Sequence, residues 1–132
     1  HQVFHRNRYV PAPHQRDSLE QRYRQQLGLV RRLNERGVPL LAGSDLGGMV
    51  FVYPGISLLE EIELLASAGL SNAEALRSAT LLPAEYLGME TERGSIAAGK
   101  IADMVILEGD PLADIHKVRA IRHVLHRGVL VR

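Results

Sequence analysis

The 132-residue sequence contains no cysteine, which excludes a disulfide framework and any cysteine-based metal site. Its 16 basic and 15 acidic residues leave a net charge of +1, so the charge balance does not favour nucleic acid or an anionic membrane as a partner. No apolar run approaches the roughly 18 residues that cross a bilayer. We therefore expect a cytoplasmic protein that binds neither nucleic acid nor a membrane.

One stretch combines a short apolar run with a single acid. Residues 38–42 are apolar and lie between Gly37 and Gly43, which predicts a fully buried strand because the run is too short for a helix. A glycine-rich turn follows and carries Asp45. Functional groups of α/β proteins collect at the carboxyl ends of parallel strands, so Asp45 is a candidate site residue. The competing interpretation is that Asp45 only braces the turn.

Helical periodicity and helix-capping patterns occupy most of residues 18–88. We predict helices over 18–36, 57–68 and 72–81, a short helix over 84–87, and irregular chain over 1–15, where two prolines disfavour a helix. Three capping boxes are predicted, formed by Ser18 with Gln21, Ser57 with Glu60, and Ser71 with Glu74. The first helix should present one apolar stripe, made of Leu19, Tyr23, Leu27, Val30 and Leu33. Leu70 and Ala75 are placed to form a hydrophobic staple.

From residue 93 onward the pattern changes to short strands and turns. We predict strands over 101–107, 119–126 and 129–132. The first is apolar on both faces and should be buried, and a tight turn at Arg127 and Gly128 should join the other two. Residues 49–53 fit a short strand and a substrate-facing lid equally well.

The histidines do not form a clear metal-binding pattern. His1 and His5 have i, i+4 spacing and His14 lies nearby, but surface histidines are the simpler interpretation. His123 and His126 are an odd number of residues apart on a predicted strand, so they point to opposite faces and do not readily share an ion.

Several blocks, in their order along the chain, resemble the metal-dependent amidohydrolase superfamily, above all its imidazolonepropionase-like and prolidase-like branch. They comprise the strand and turn at 37–45, blocks at 58–65, 68–71 and 74–80, and a tail at 94–107 and 109–112. The resemblance covers about residues 16–131. It implies an α/β fold, with a C-terminal fragment of a (β/α)8 TIM-like barrel over 1–92 and C-terminal strands of a small composite β-sandwich over 93–132. Since a complete barrel needs about 250 residues and the chain begins with His1 rather than Met, we expect part of a longer enzyme.

The resemblance also implies a reaction, the hydrolysis of a C–N bond by metal-activated water. In the superfamily, the acid at the end of the eighth strand ligates the metal, takes a proton from the water and passes it to the leaving nitrogen. Asp45 occupies that place, so it is implied as both the metal ligand and the catalytic residue. The implied cofactor is a divalent metal, zinc in the first instance. The implied partner is a small molecule with an amide, cyclic amide or dipeptide bond.

The other metal ligands of the superfamily do not occur in the sequence. It contains no His-x-His pair, and one carboxylate falls short of the three protein ligands of a catalytic zinc. We therefore expect an incomplete site that requires the N-terminal part of the enzyme. Leu59 stands where many relatives carry a histidine near the active site, so that substrate contact is in doubt. Proline dipeptides, cyclic ureides and N-acyl compounds all remain open as substrates.

Two further hypotheses belong to other classes. The chain can be a free-standing, non-catalytic module that assembles with a partner through its exposed barrel edge and β-hairpin. Asp45 can also be a phosphoacceptor like that of receiver domains, although the upstream acidic pair and the downstream lysine of such domains are missing. Unpaired edges of strands 38–42 and 101–107 should drive association, so we expect a homo-oligomer and poor behaviour of the isolated chain.

Overall fold

The computed structural model of the protein describes residues 13–45 and 52–131, with side chains from residue 16 onward. Within these residues, four α-helices come first: α1 (Pro13–Glu35), α2 (Ile56–Ser67), α3 (Asn72–Ser78) and α4 (Leu81–Tyr86). A three-stranded antiparallel sheet follows, made of β1 (Met104–Leu107), β2 (Ile121–His126) and β3 (Val129–Leu130), with a 3-10 helix, Ile115–Arg119, between β1 and β2. The predicted change from helices to strands is confirmed. No helix in the described part is long and apolar enough to span a bilayer.

Helix α1 begins earlier than predicted and ends close to the predicted residue. Its first residue is Pro13, so the expected irregular chain over 1–15 is wrong at its C-terminal end, while residues 1–12 lie outside the described part. Proline suits the first helical turn because its missing N–H would have no helical partner there. Ser18 lies inside the helix, so it is not the N-cap that the predicted capping box requires. Gly37 follows the helix with a φ of 73°, as expected of a helix stop.

The apolar stripe of α1 is buried only toward its C-terminal end. Leu27, Val30 and Leu33 are half-buried, and Val30 packs against the core, whereas Leu19 and Tyr23 are exposed. Within the described residues, only the later part of the stripe reaches the core that α2 and α3 build. The stripe is therefore correct as a pattern, but its burial depends on neighbouring elements.

Of the two remaining capping boxes, one is confirmed and one is wrong. The Ser71 hydroxyl accepts the Glu74 N–H at 3.2 Å, and the Glu74 carboxylate accepts the Ser71 N–H at 2.7 Å. Helix α2 instead starts one residue before Ser57, after Gly55 with a φ of 77°, and the Ser57 hydroxyl accepts the Tyr53 N–H at 2.9 Å. Both members of the predicted staple, Leu70 and Ala75, are buried.

The predicted helix over 72–81 ends three residues earlier than expected. Helix α3 ends at Ser78 and α4 begins at Leu81, so the short helix predicted over 84–87 starts earlier than expected. Pro83 explains the break, because it has no N–H to donate to the Ala79 carbonyl in a continuous helix. In α4 it occupies the first turn, where no helical acceptor is required.

The sheet has the predicted hairpin, with shorter strands. Arg127 and Gly128 both have positive φ, 50° and 78°, which is the geometry of a two-residue turn whose twist matches that of the flanking strands. Strand β1 pairs with β2 antiparallel, and an irregularity separates Ile106 from Leu107. The expected start of a strand at residue 119 is wrong, because Arg119 ends the 3-10 helix.

One core cluster joins the helical part to the sheet part. It is formed by Ile62, Leu65, Leu70, Ala75, Ile115 and Val118. Helix α2 supplies Ile62 and Leu65, the connection between α2 and α3 supplies Leu70, α3 supplies Ala75, and the 3-10 helix supplies the last two. The same small core therefore holds both halves of the chain, and it is the surface on which the segment before Asp45 rests.

The predicted burial of two strands is wrong for the described residues. Residues 38–42 form no strand, and Val38 and Leu41 are each 41% exposed, while Leu40 and Ala42 pack against the core. In β1, Val105 and Ile106 are 54% and 44% exposed. A strand needs ladder partners and a covering layer. Among the described residues none pairs with 38–42, and only β2 pairs with β1.

Gly94 lies close against α4. Its φ is 88°, and a Cβ atom there would lie 2.6 Å from the Ala84 Cβ and 3.0 Å from the Thr80 carbonyl oxygen. Gly99 has a similar φ of 86°, but a Cβ there would meet nothing within 4 Å. The two glycines therefore share the same backbone strain and differ in the space around them.

We expect Gly94→Ala to destabilise the protein more than Gly99→Ala does. Gly99→Ala should cost about 1–2 kcal/mol, the penalty of a left-handed non-glycine residue. Gly94→Ala should cost about 1–3 kcal/mol more, because the new methyl group overpacks the contact with α4. Denaturant unfolding of both variants measures the difference, and equal losses would contradict the close approach.

An ion-paired cluster ties α2 to the 3-10 helix on the surface of the core. The Glu63 carboxylate accepts two hydrogen bonds from the Arg119 guanidinium, one from Nε at 2.6 Å and one from Nη2 at 2.7 Å. His116 Nδ1 lies 3.2 Å from the same carboxylate. The hydrogen bonds from Arg119 are the main cause that lowers the pKa of Glu63 below its ordinary value.

The lowered pKa of Glu63 predicts the sign of a pH dependence. A depressed pKa stabilises the fold fully above the ordinary value of 4.5, and this contribution is lost as the pH falls below it. At neutral pH, Glu63→Gln should lower the free energy of unfolding by about 1–2 kcal/mol. The figure is modest because the Arg119 side chain is 43% exposed and therefore screened.

Unfolding of wild type and Glu63→Gln across the acid range tests this expectation. The difference between them should shrink as the pH falls through the lowered pKa. Glu85→Gln, at an exposed position on α4, is the control and should change little at any pH. If the loss of unfolding free energy in Glu63→Gln stayed constant into strong acid, the carboxylate charge of Glu63 would not contribute to stability.

Candidate functional site

Asp45 lies in the segment that follows α1. Its side chain is exposed and its φ is 50°, a left-handed conformation that aspartate tolerates better than most residues. Ala42, three positions earlier, packs on the core, and its N–H donates to the Ser78 carbonyl at 2.9 Å. The segment is thereby anchored to the end of α3 shortly before the candidate residue.

Glu61 of α2 is a second acid at this place, and the sequence interpretation missed it. Its side chain is half-buried, on the same side of the helix as Leu58 and Leu65, which pack in or against the core. Burial raises the pKa of Glu61, and the negative charge of Asp45 raises it further. An acid within the apolar face of an amphipathic helix was the sequence signal that could have identified it.

The described residues do not hold a complete metal site. Within 13–45 and 52–131, no three histidine, cysteine, aspartate or glutamate side chains lie together in a way that could hold an ion. The exposed Asp45 carboxylate suits one ligand position, since ionised carboxylates are oxygen acceptors that divalent ions accept. The remaining ligands of such a site would have to come from outside the described part.

Two of the described histidines have other acidic partners, and three histidines lie wholly or partly outside the described residues. His116 lies beside Glu63, and His126 Nδ1 lies 3.0 Å from Asp103 Oδ1 near the hairpin turn. His123 shares β2 with His126 at odd spacing, so the two face opposite sides of the sheet. His1 and His5 are outside the described part, as is the side chain of His14. The interpretation of these three as surface histidines therefore stays a prediction.

The region after Asp45 is described only in part. Residues 46–51 lie outside the described part, so the choice between a strand and a lid over 49–53 is not decided. Val52 and Tyr53 form no strand. Leu59, expected near the active site, is half-buried and packs against the core cluster. A leucine at position 59 is therefore accounted for by packing.

The sequence and fold both match one family. The profile of the amidohydrolase family matches residues 5–131, and the chain belongs to this family. It is 38% identical over 91 residues to an adenine deaminase of Ligilactobacillus salivarius, covering 69% of this chain and 15% of that protein. It is 40% identical over 80 residues to an imidazolonepropionase of Symbiobacterium thermophilum, covering 58% of this chain and 18% of that protein.

The fold is similar to that of solved amidohydrolase-type structures. A Xaa-Pro dipeptidase with methionine bound in its active site superposes with a TM-score of 0.72 and 29% identity, over 80% of this chain and 25% of that one. The expected resemblance to imidazolonepropionases and prolidases is thus confirmed. The chain spans between about a seventh and a quarter of the length of these relatives.

Proposed function

We propose that this chain is the C-terminal segment of a metal-dependent amidohydrolase that hydrolyses C–N bonds with Asp45 as metal ligand and proton shuttle. The observation that carries the proposal is the place of Asp45. It is an exposed acid three residues beyond Ala42, whose N–H is hydrogen-bonded to α3, in a chain that belongs to the amidohydrolase family. In this proposal residues 1–92 end a TIM-like barrel and 93–132 contribute strands to a composite β-sandwich.

The chemistry assigned to Asp45 follows from its carboxylate. A bound divalent ion, zinc in this proposal, would lower the pKa of water to about 7. The Asp45 carboxylate accepts the proton of the attacking water and returns it to the leaving nitrogen, which completes the cleavage of the C–N bond. An exposed side chain at the edge of the described core is accessible to both water and substrate.

The substrate class is a small molecule with an amide, cyclic amide or dipeptide bond. This class is supported by the names of the relatives, which include an imidazolonepropionase and a Xaa-Pro dipeptidase. Similarity to an adenine deaminase adds ring-bound amino groups to the candidates. We further propose a cytoplasmic homo-oligomer, consistent with the exposed apolar side chains of β1 and β3.

The second candidate function is a non-catalytic module that assembles with a partner. It is favoured by the exposed apolar surface at the end of the hairpin, where Val129, Leu130 and Val131 are 60–64% exposed. In a catalytic enzyme the same surface would be covered by the remainder of the protein.

Activity of the full-length enzyme, compared with that of the 132-residue chain, tests the main proposal. Both are assayed with zinc on a panel of amides, proline dipeptides, cyclic imides and aminopurines. We expect the full-length enzyme to hydrolyse at least one class. The 132-residue chain should hydrolyse none and bind zinc no better than scattered surface histidines do. A natural protein without a His-x-His pair upstream, inactive on the whole panel, would favour the assembly module.

A further inference from the structure

Ser78 is a fully buried polar residue in the last turn of α3. Its exposed fraction is 0%, and among the described residues it is the one polar residue in the buried class. The Ser78 hydroxyl donates to the Ala75 carbonyl at 2.6 Å, within its own helix. The hydroxyl is therefore satisfied locally, and the reason for a serine here has to be sought in its size and its backbone.

The backbone of Ser78 holds the segment that carries Asp45. The Ser78 carbonyl is one of the last of α3, which have no acceptor role inside the helix, and it accepts the Ala42 N–H at 2.9 Å. At the other end of the segment, the Val38 N–H donates to the Leu33 carbonyl of α1 at 3.0 Å. Asp45 is three residues beyond Ala42, which is at most about 10 Å of chain, so a shift of Ala42 carries over to Asp45.

The residues around the Ala42–Ser78 hydrogen bond have small side chains. Ala75 and Ser78 are i, i+3 neighbours on one side of the helix, and both are 0% exposed. The segment side of the contact is also small at Ala42, which packs against the core cluster. A larger side chain at position 78 has no free space and would have to push neighbouring groups outward.

We propose that Ser78 is a positioning residue for Asp45, because its small side chain and its carbonyl set the distance between α3 and the Asp45 segment. This inference rests on the proposed function of Asp45. The serine does not contact the reacting atoms and acts through the Ala42 hydrogen bond. Its size, rather than its hydroxyl, determines where the Asp45 carboxylate stands.

Substitutions at Ser78 in the full-length enzyme test the inference. Ser78→Val adds bulk, so we expect kcat to fall by about 10²-fold, the cost of a displacement of about 1 Å. Zinc affinity should fall by about 10-fold to 100-fold, because a displaced support disturbs the ligand. Ser78→Ala removes the hydroxyl without adding bulk, so both quantities should stay within about tenfold of wild type. Amide hydrogen exchange at Ala42 should be fast in Ser78→Val and slow in Ser78→Ala.

Two control variants separate positioning from general damage. Ser67 in α2 makes the same type of hydroxyl bond, to Leu64 at 2.7 Å, but it is exposed, so Ser67→Val should keep kcat and zinc affinity. Ala84 is buried in α4 beside Gly94, so Ala84→Val should lose stability by overpacking while keeping kcat. Wild-type kcat and zinc affinity in Ser78→Val would overturn the inference, as would an equal fall of kcat in Ala84→Val.

The outcome for Asp45→Asn shows whether a failure concerns the positioning role of Ser78 or the catalytic role of Asp45. If Asp45→Asn is inactive while Ser78→Val is fully active, the role of Ser78 is wrong and the role of Asp45 stands. If Asp45→Asn retains the wild-type kcat and the wild-type zinc content, the proposed function itself is wrong. The same preparations and assays serve both comparisons.

Discussion

Asp45→Asn in the full-length enzyme should lower kcat by about 10²–10⁴-fold, the usual contribution of a general base. Asparagine keeps the shape of the side chain but removes the negative charge and the basic oxygen that accepts the water proton. The substitution should also reduce the metal content, because a neutral amide is a poorer ligand than a carboxylate. The measurement is kcat on the best substrate of the panel, with zinc content determined on the same preparation.

A matched aspartate on the surface provides the control for this result. Asp17 is exposed on α1, so Asp17→Asn changes the net charge by the same amount away from the proposed site. It should leave kcat and zinc content unchanged. Wild-type kcat and full zinc occupancy in Asp45→Asn would make Asp45 a turn residue and refute its catalytic assignment.

Leu65→Ala should be the most destabilising simple truncation in the described core. Leu65 is 6% exposed and lies in the cluster that joins α2, α3 and the 3-10 helix. Loss of a buried leucine side chain typically costs about 2–5 kcal/mol, because transfer energy is lost and a cavity remains. Since this cluster also supports Leu40 and Ala42, the loss should loosen the segment that carries Asp45.

Leu64, the neighbour of Leu65 in α2, provides the matched control for this substitution. Leu64 is 38% exposed on the same helix, so Leu64→Ala makes the same chemical change without opening a buried cavity and should cost less than about 1 kcal/mol. Thermal or denaturant unfolding of the full-length variants gives both values. Similar losses for Leu64→Ala and Leu65→Ala would contradict the observed burial of the two faces of α2.

The features that were predicted correctly depend on residues close together in the chain. The Ser71–Glu74 capping box spans three residues, and the Arg127–Gly128 turn depends on two residues that both adopt positive φ. Both are local choices of side chain and backbone, so the sequence pattern is sufficient to predict them. The order of helices followed by short strands was predicted for the same reason.

The errors arose where a neighbouring residue outweighed the capping pattern, or where burial depended on elements distant in the chain. Ser18 and Ser57 have the capping pattern, but the helices start elsewhere, because Pro13 and Gly55 determine where the chain enters them. Residues 38–42 and β1 have the apolar pattern of buried strands, but burial requires partners that the described residues do not provide.

The sequence by itself determined the family, the sequence of elements and Asp45 as the candidate residue, because these are carried by ordered motifs and local periodicity. Only the tertiary structure decided which residues distant in the chain meet. Glu61 lies within the electrostatic field of Asp45, the Ser78 carbonyl accepts the Ala42 N–H, and Arg119 pairs with Glu63 across 56 residues of chain. Such contacts follow from how helices pack on one core, and no spacing along the chain encodes them.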